Sequence, residues 1–144
     1  QYQLIAFNDQ AAPVLANSAG TWLDVADTQT LEAATQALRE LVPNRGTSLV
    51  NAFDALDTLP DRPDNIFLIT DGLPTQGAEP PRGTTVTGRQ RLEHYRRALQ
   101  QLPKGVPVNI ILAPMEGDPL AASEFWQLAQ VSGGSFMSPA RDWP

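Results

Sequence analysis

Two oxygen-bearing side chains, those of Thr47 and Asp71, occupy positions that a parallel sheet would bring to one edge. Asp71 directly follows the apolar run IFLIT, and Gly72 behind it would let the backbone turn sharply and keep the carboxylate at the rim. Thr47 stands just ahead of a helical pattern that leads from the same rim to that strand. A hydroxyl and a carboxylate suit a hard divalent cation such as Mg²⁺, which keeps several waters and needs few protein ligands.

The same residues also have an ordinary structural interpretation. Thr47 or Ser48 is a residue type that commonly caps the N-terminus of a helix, and an aspartate followed by glycine commonly begins a turn. Spacing alone does not separate the capping interpretation from the metal interpretation, so both stay open at this point.

The elements that must position these residues are short apolar runs alternating with helical patterns. Strands are predicted where the runs are bounded by polar or turn residues, as in parallel strands buried on both faces. Helices are predicted where apolar residues recur on one helical face. The predicted strands are 2–7, 66–70, 106–113 and a weaker one at 134–138. Residues 21–25 are predicted to form an edge strand paired with the first strand. The predicted helices are 31–41, 49–56, 92–102 and 121–129.

This alternation predicts an α/β fold with a doubly wound, mainly parallel sheet and helices on both faces. Residues 1–144 are predicted to form a single domain, because 144 residues with 42% hydrophobic content suffice for one ordinary core. The last helix is expected to open with Asp118 as its N-cap and Pro119 at its first position. A start at Gln1 rather than at methionine indicates a piece of a longer polypeptide.

Composition excludes several classes of function. The formal net charge is −6, and no basic run is longer than Arg96-Arg97, so no nucleic-acid partner is expected. The absence of cysteine excludes disulfides and thiolate metal sites. The apolar runs fall far short of the ~20 residues of a membrane span, so no span is expected. No nucleotide-binding glycine motif occurs.

Three strings together resemble a von Willebrand factor A-type (vWA) domain. GTSLVNAFDAL and ITDGLPTQG are similar to the threonine loop and the aspartate loop of that family, and YQLIAFND is similar to its second strand. The resemblance covers nearly the whole chain and implies a Rossmann-like fold and a protein-binding or adhesion function. It also implies a metal ion-dependent adhesion site (MIDAS), where Mg²⁺, Mn²⁺ or Ca²⁺ is completed by an acidic residue of a protein partner. Thr47 and Asp71 match two of its three parts, and Ser48 and Gly72 are expected to support them.

The sequence departs from the family pattern in its third part. No DxSxS motif occurs, and the family's first strand, which would lie between the strands at 2–7 and 66–70, is missing with its helix. The domain is therefore predicted to be N-terminally incomplete, with weak or no metal binding in this chain. The position of this missing strand could be filled by a strand from a longer chain or by a strand from a second copy of this chain. Alternatively, the strands at 2–7 and 66–70 could pair directly. The first alternative is favoured because residue 1 lies flush against a strand.

Two functions other than a binding module are also compatible with the sequence. A metal-free structural or assembly domain would associate through helix faces or through Trp143. A hydrolase would use Asp71, but no second catalytic group is identifiable, so the chain is not expected to be an enzyme.

The placement of three other features can also be predicted. His94 is expected on a solvated helix face, and Trp126 is expected in the core. The loop 73–86 is expected either to frame a partner surface or to be a disordered insert.

Overall fold

The computed structural model describes residues 1–81, 83, 85–113 and 115–139, and it shows a mixed α/β fold with a parallel sheet. Two short 3₁₀ helices, Ala16–Ser18 and Ala55–Thr58, join longer elements. The strands are β1 (Ile5–Phe7), β2 (Ala11–Pro13), β3 (Ile66–Thr70), β4 (Val108–Leu112) and β5 (Phe136–Met137), and the helices are α1 (Thr28–Glu40), α2 (Leu49–Asp54), α3 (Gly88–Ala98) and α4 (Ala121–Ser132).

Local signals explain where the helices begin and end. The Asp27 carboxylate accepts the Thr30 N–H at 3.1 Å at the start of α1. Thr87 and Gln90 form a reciprocal capping box at the start of α3. At the other end of α4, Gly133 has φ +77, the left-handed conformation that commonly stops a helix.

The three-stranded sheet has the order β3-β4-β5, and all its pairs are parallel. Ile66 is level with Val108, and Ile110 is level with Phe136, so the strands predicted at 66–70 and 106–113 are confirmed as neighbours. The prediction of an α/β fold with a parallel sheet is likewise confirmed. One face of β3 and β4 packs with α2, α3 and α4 into a single core.

The opposite face of the sheet is open over the described residues. In β3, Leu68 is buried, whereas Phe67 is 71% exposed and Ile69 is 66% exposed. The expectation that this strand is buried on both faces is therefore wrong for the part of the chain the structure describes. The run IFLIT is apolar at four of five positions, but the helices cover only every second side chain.

β1 and β2 form a separate antiparallel hairpin, in which Ile5 is level with Pro13. The expected edge strand at 21–25 is reduced to one antiparallel bridge between Tyr2 and Leu23. Within the described ranges β1 pairs only with β2, and β3 pairs only with β4. Direct pairing of the strands at 2–7 and 66–70, one of the three alternatives above, does not occur.

The tryptophan predictions have different outcomes. Trp126 is 54% exposed, so its expected place in the core is wrong. The buried stripe of α4 runs through Phe125, Leu128 and Ala129, and Trp126 lies about 100° around the helix from Phe125. Trp143 lies outside the described residues. Among the helices the structure describes, none has the length and apolar character that crossing a membrane requires.

Candidate functional site

The loop that carries Thr47 is hydrogen-bonded to the loop that begins with Asp71. The Thr47 carbonyl accepts the N–H groups of Thr75 at 2.9 Å and Gln76 at 3.2 Å. The Thr47 N–H in turn donates to the Thr75 hydroxyl at 2.8 Å. These bonds use both backbone polar groups of Thr47 and place the two loops against each other at the carboxyl end of β3. The Thr47 hydroxyl makes no hydrogen bond to any described residue.

Ser48 is the residue that caps α2. Its hydroxyl oxygen accepts the Asn51 N–H at 3.2 Å, and its hydroxyl donates to the Gly77 carbonyl at 2.7 Å. The side chain is buried, and its hydroxyl joins the helix start to the loop that begins with Asp71. The capping interpretation therefore applies to Ser48, which leaves the Thr47 hydroxyl uncommitted.

Asp71 stands at the end of β3 with an exposed side chain. Its carbonyl accepts the Met115 N–H at 3.2 Å, while its carboxylate makes no hydrogen bond or ion pair with the described residues. Gly72 is buried behind it, and its φ is not in the left-handed region. An added Cβ at Gly72 would lie 2.7 Å from Oδ2 of Asp118 and 3.0 Å from Nη2 of Arg91. Glycine is needed here for space, and the expected reason, a conformation that only glycine favours, is wrong.

A buried ion pair holds the residue that follows Gly72. Oδ2 of Asp118 accepts the Leu73 N–H at 2.7 Å and lies 3.0 Å from Nη2 of Arg91. Nε of Arg91 donates to the Leu73 carbonyl at 3.0 Å, and its Nη2 donates to the same oxygen. We call these three residues the Leu73 clamp. The side chains of Arg91 and Asp118 are only 11% and 3% exposed.

The clamp corrects the expected role of Asp118. The helix α4 begins at Ala121, its N-cap is Leu120, and no side chain caps it. The Asp118 carboxylate instead reaches back to the loop after β3. An aspartate followed by proline is the usual pattern of a helix start, so the sequence signal favoured a local bond over the long-range one. Arg91 had no local signal that distinguished it from its charged neighbours on α3.

Two further polar side chains near this loop, Gln76 and His94, are at least partly buried. The Gln76 side chain is buried, and its Nε2 has no hydrogen-bond partner among the described residues. His94 is half-buried, its Nδ1 likewise lacks a described partner, and it faces Gly77. The expectation of a solvated His94 is wrong. Burial, assisted by the positive charge of Arg97, lowers the pKa of this imidazole.

The side chains of Thr47 and Asp71 carry the type of oxygen atom that binds a hard divalent metal ion. Hydroxyl and carboxylate oxygens are the donors that Mg²⁺ prefers. Among the described residues there is no group of three or more His, Cys, Asp or Glu side chains that could hold a metal. Two ligands from this chain would leave the other coordination positions to water or to an oxygen from a partner.

None of the known protein-family profiles, curated proteins or solved structures matches this chain. The resemblance to a vWA domain accordingly remains a prediction from the three sequence strings and from the predicted order of elements. The contribution of the structure is the placement of the two loops and the clamp that holds one of them.

Proposed function

We propose that this chain is a doubly wound, vWA-type protein-binding module whose partner surface is the rim formed by the Thr47 loop and the Asp71 loop. The observation that carries this proposal is the pair of loops bonded through the Thr47 backbone, while the Thr47 hydroxyl and the Asp71 carboxylate have no hydrogen-bond partner among the residues that the structure describes. Uncommitted oxygen donors on a rigid, well-bonded rim suit the binding of a ligand. We propose binding rather than catalysis, because no second catalytic group accompanies Asp71 in the described residues.

A Mg²⁺ ion at this rim would take its oxygens from Thr47, Asp71 and water. An acidic residue of a protein partner would then replace one water and complete the coordination. With only two protein ligands, binding of the free ion is expected to be weak, and the ion would be held firmly only together with the partner. Mn²⁺ and Ca²⁺ accept the same donors and would serve as substitutes.

Metal titration tests the proposal with a matched pair of aspartates. Asp71 and Asp64 are both exposed, and they bracket β3 at its carboxyl end and its amino end. Asp71→Asn is expected to weaken Mn²⁺ binding about tenfold or more, since a lost charged ligand contributes well over 1.4 kcal/mol. Asp64→Asn should leave the affinity unchanged. Titration followed by Mn²⁺ electron paramagnetic resonance measures both. Equal affinities for the unaltered protein and Asp71→Asn would contradict the metal-dependent proposal.

A metal-free assembly domain is the second candidate, and the open side of β3 favours it. The Ile66 N–H and the Thr70 carbonyl bond to residues that flank β4. Because backbone groups alternate in a parallel strand, those of Phe67 and Ile69 point to the opposite, unpaired edge. That edge and the exposed side chains of the same two residues would suit a strand from a second copy of this chain.

Sedimentation velocity in the presence of a chelator tests the assembly candidate. The unaltered protein is expected to self-associate under these conditions, and Ile69→Lys is expected to remove the association by charging the edge. Val131→Lys charges an equally exposed apolar position on α4 and should have no effect. A monomer at all protein concentrations would eliminate this candidate.

A further inference from the structure

We infer that Arg91 and Asp118, acting through the Leu73 clamp, are positioning residues that hold Asp71 at the rim. The inference rests on the proposed function for its consequence, which is the affinity of the rim for a divalent cation. The placement of the Asp71 loop by the clamp is a separate matter that requires no metal. Neither residue is assigned to the site by the vWA resemblance, which names only the strand-end aspartate and its neighbours.

The clamp occupies both backbone polar groups of Leu73. The N–H is bound by the Asp118 carboxylate, and the carbonyl is bound by the Arg91 guanidinium. Both bonds involve an ionised group, and such bonds are shorter and stronger than neutral ones. The two charged groups also contact each other, so each holds the other in place against Leu73. Moving Leu73 would break its bonds to both of them.

The clamp restrains Asp71 on its C-terminal side, in addition to the bonds of the Asp71 carbonyl with the Met115 N–H at 3.2 Å and of the Gly72 carbonyl with the Thr70 hydroxyl at 3.1 Å. On the N-terminal side the Thr70 carbonyl is fixed by the Ala113 N–H at 2.9 Å. On the other side Gly72 is packed directly against the clamp, so an added Cβ would require a charged group of the clamp to shift. Asp71 is therefore fixed between a strand bond and the clamp, while its own carboxylate is unpaired within the described part of the chain.

The two aspartates of this region, Asp71 and Asp118, differ in burial and in ion pairing. The Asp118 carboxylate is almost fully buried and is paired with Arg91. A carboxylate paired in this way is not available to a cation. If the carboxylate turned to a cation, the buried Arg91 guanidinium would lose its counter-ion. Asp71 is exposed and unpaired among the described residues. Asp71 is thus the ligand, and Asp118 positions it.

The clamp also joins three separate parts of the chain at one point. Leu73 belongs to the loop after β3, Arg91 to α3, and Asp118 to the connection between β4 and α4. The guanidinium and the carboxylate come from elements that are sequence-distant from the loop they hold. The position of Asp71 is consequently determined by the packing of α3 and by the end of β4 as well as by its own strand.

Two readouts on the same variants test the inference. Asp118→Asn keeps an oxygen acceptor but removes the charge, and Gly72→Ala displaces the clamp without removing either charge. Arg89→Gln is the matched control, because it breaks an exposed ion pair with Glu93 on the same helix. Amide hydrogen exchange at Leu73, measured by nuclear magnetic resonance without metal, reports the loop, and Mn²⁺ titration reports the rim.

Asp118→Asn and Gly72→Ala are expected to speed Leu73 exchange about tenfold or more and to shift the amide resonance of Asp71, since a charge-assisted bond is lost or displaced. Both should weaken Mn²⁺ binding severalfold, while Arg89→Gln changes neither quantity. Unchanged Leu73 exchange in both variants overturns the inference, as does faster exchange with unchanged Mn²⁺ affinity. If the unaltered protein binds no Mn²⁺, the metal-dependent function fails, and the exchange rate together with the Asp71 resonance still decides whether the clamp positions the loop.

Discussion

Replacement of Gly72 by alanine measures how tightly the loop after β3 is packed. The added Cβ would stand 2.7 Å from Oδ2 of Asp118 and 3.0 Å from Nη2 of Arg91. The first distance is shorter than real Cβ contacts, so the carboxylate must move. That carboxylate is held by the Leu73 N–H and by the guanidinium, so movement weakens the hydrogen bond as well as relieving the contact.

Two opposing effects determine the size of the change. A hydrogen bond to a charged group contributes about 1.5–3 kcal/mol, and most of it is lost when the carboxylate is displaced. Alanine restricts the unfolded chain and thereby stabilises by about 0.4–1 kcal/mol where the backbone conformation permits it, as it does at Gly72. The difference predicts that Gly72→Ala lowers the free energy of unfolding by about 1–2 kcal/mol.

Urea denaturation followed by tryptophan fluorescence measures this change, with Gly88→Ala as the control. Gly88 is the first residue of α3, its φ is not in the left-handed region, and nothing lies within 4 Å of an added Cβ. Gly88→Ala should therefore be neutral or stabilising by up to about 1 kcal/mol. For Gly72→Ala the midpoint is expected to fall by roughly 0.5–1 M urea. If Gly72→Ala were as stable as the unaltered protein, the Asp118 carboxylate would be able to move without any loss in the free energy of unfolding. That result would refute the reasoning.

Two further predictions concern other buried polar groups near the rim. Ser48→Ala removes the cap of α2 and leaves the Gly77 carbonyl without its donor, so a loss of about 1–3 kcal/mol is expected in the same urea assay. The lowered pKa of His94 means that the folded protein binds its proton less readily than the unfolded chain, whose pKa is near 6.5. This contribution to stability is present above pH 6.5 and is lost as the pH falls toward the folded pKa. His94→Gln should therefore lose less stability than the unaltered protein between pH 7.5 and 5.5, and an equal loss in both would contradict the burial of His94.

Much of the fold could be predicted from local patterns in the sequence. The apolar runs at 66–70 and 106–113 contain β3 and β4, and their parallel pairing follows from the helical pattern between them. The serine before α2 is one of the two predicted caps and occupies that position, and the glycine after α4 is a residue type that commonly ends a helix. These features are determined by interactions within a few residues, which is why periodicity and capping rules detect them.

Tertiary structure alone decided which partner each polar or apolar side chain meets. Phe67 and Leu68 are equally apolar in sequence, but the helices cover only the face that holds Leu68. Asp118 carries a helix-start pattern, yet its carboxylate binds the Leu73 N–H 45 residues away. A charged bond to a buried backbone group outweighs a solvent-exposed cap because its donor would otherwise be desolvated without a partner. Such long-range compensation leaves no periodic trace in the chain, so the sequence could propose Asp71 for the rim but could not identify the residues that hold it there.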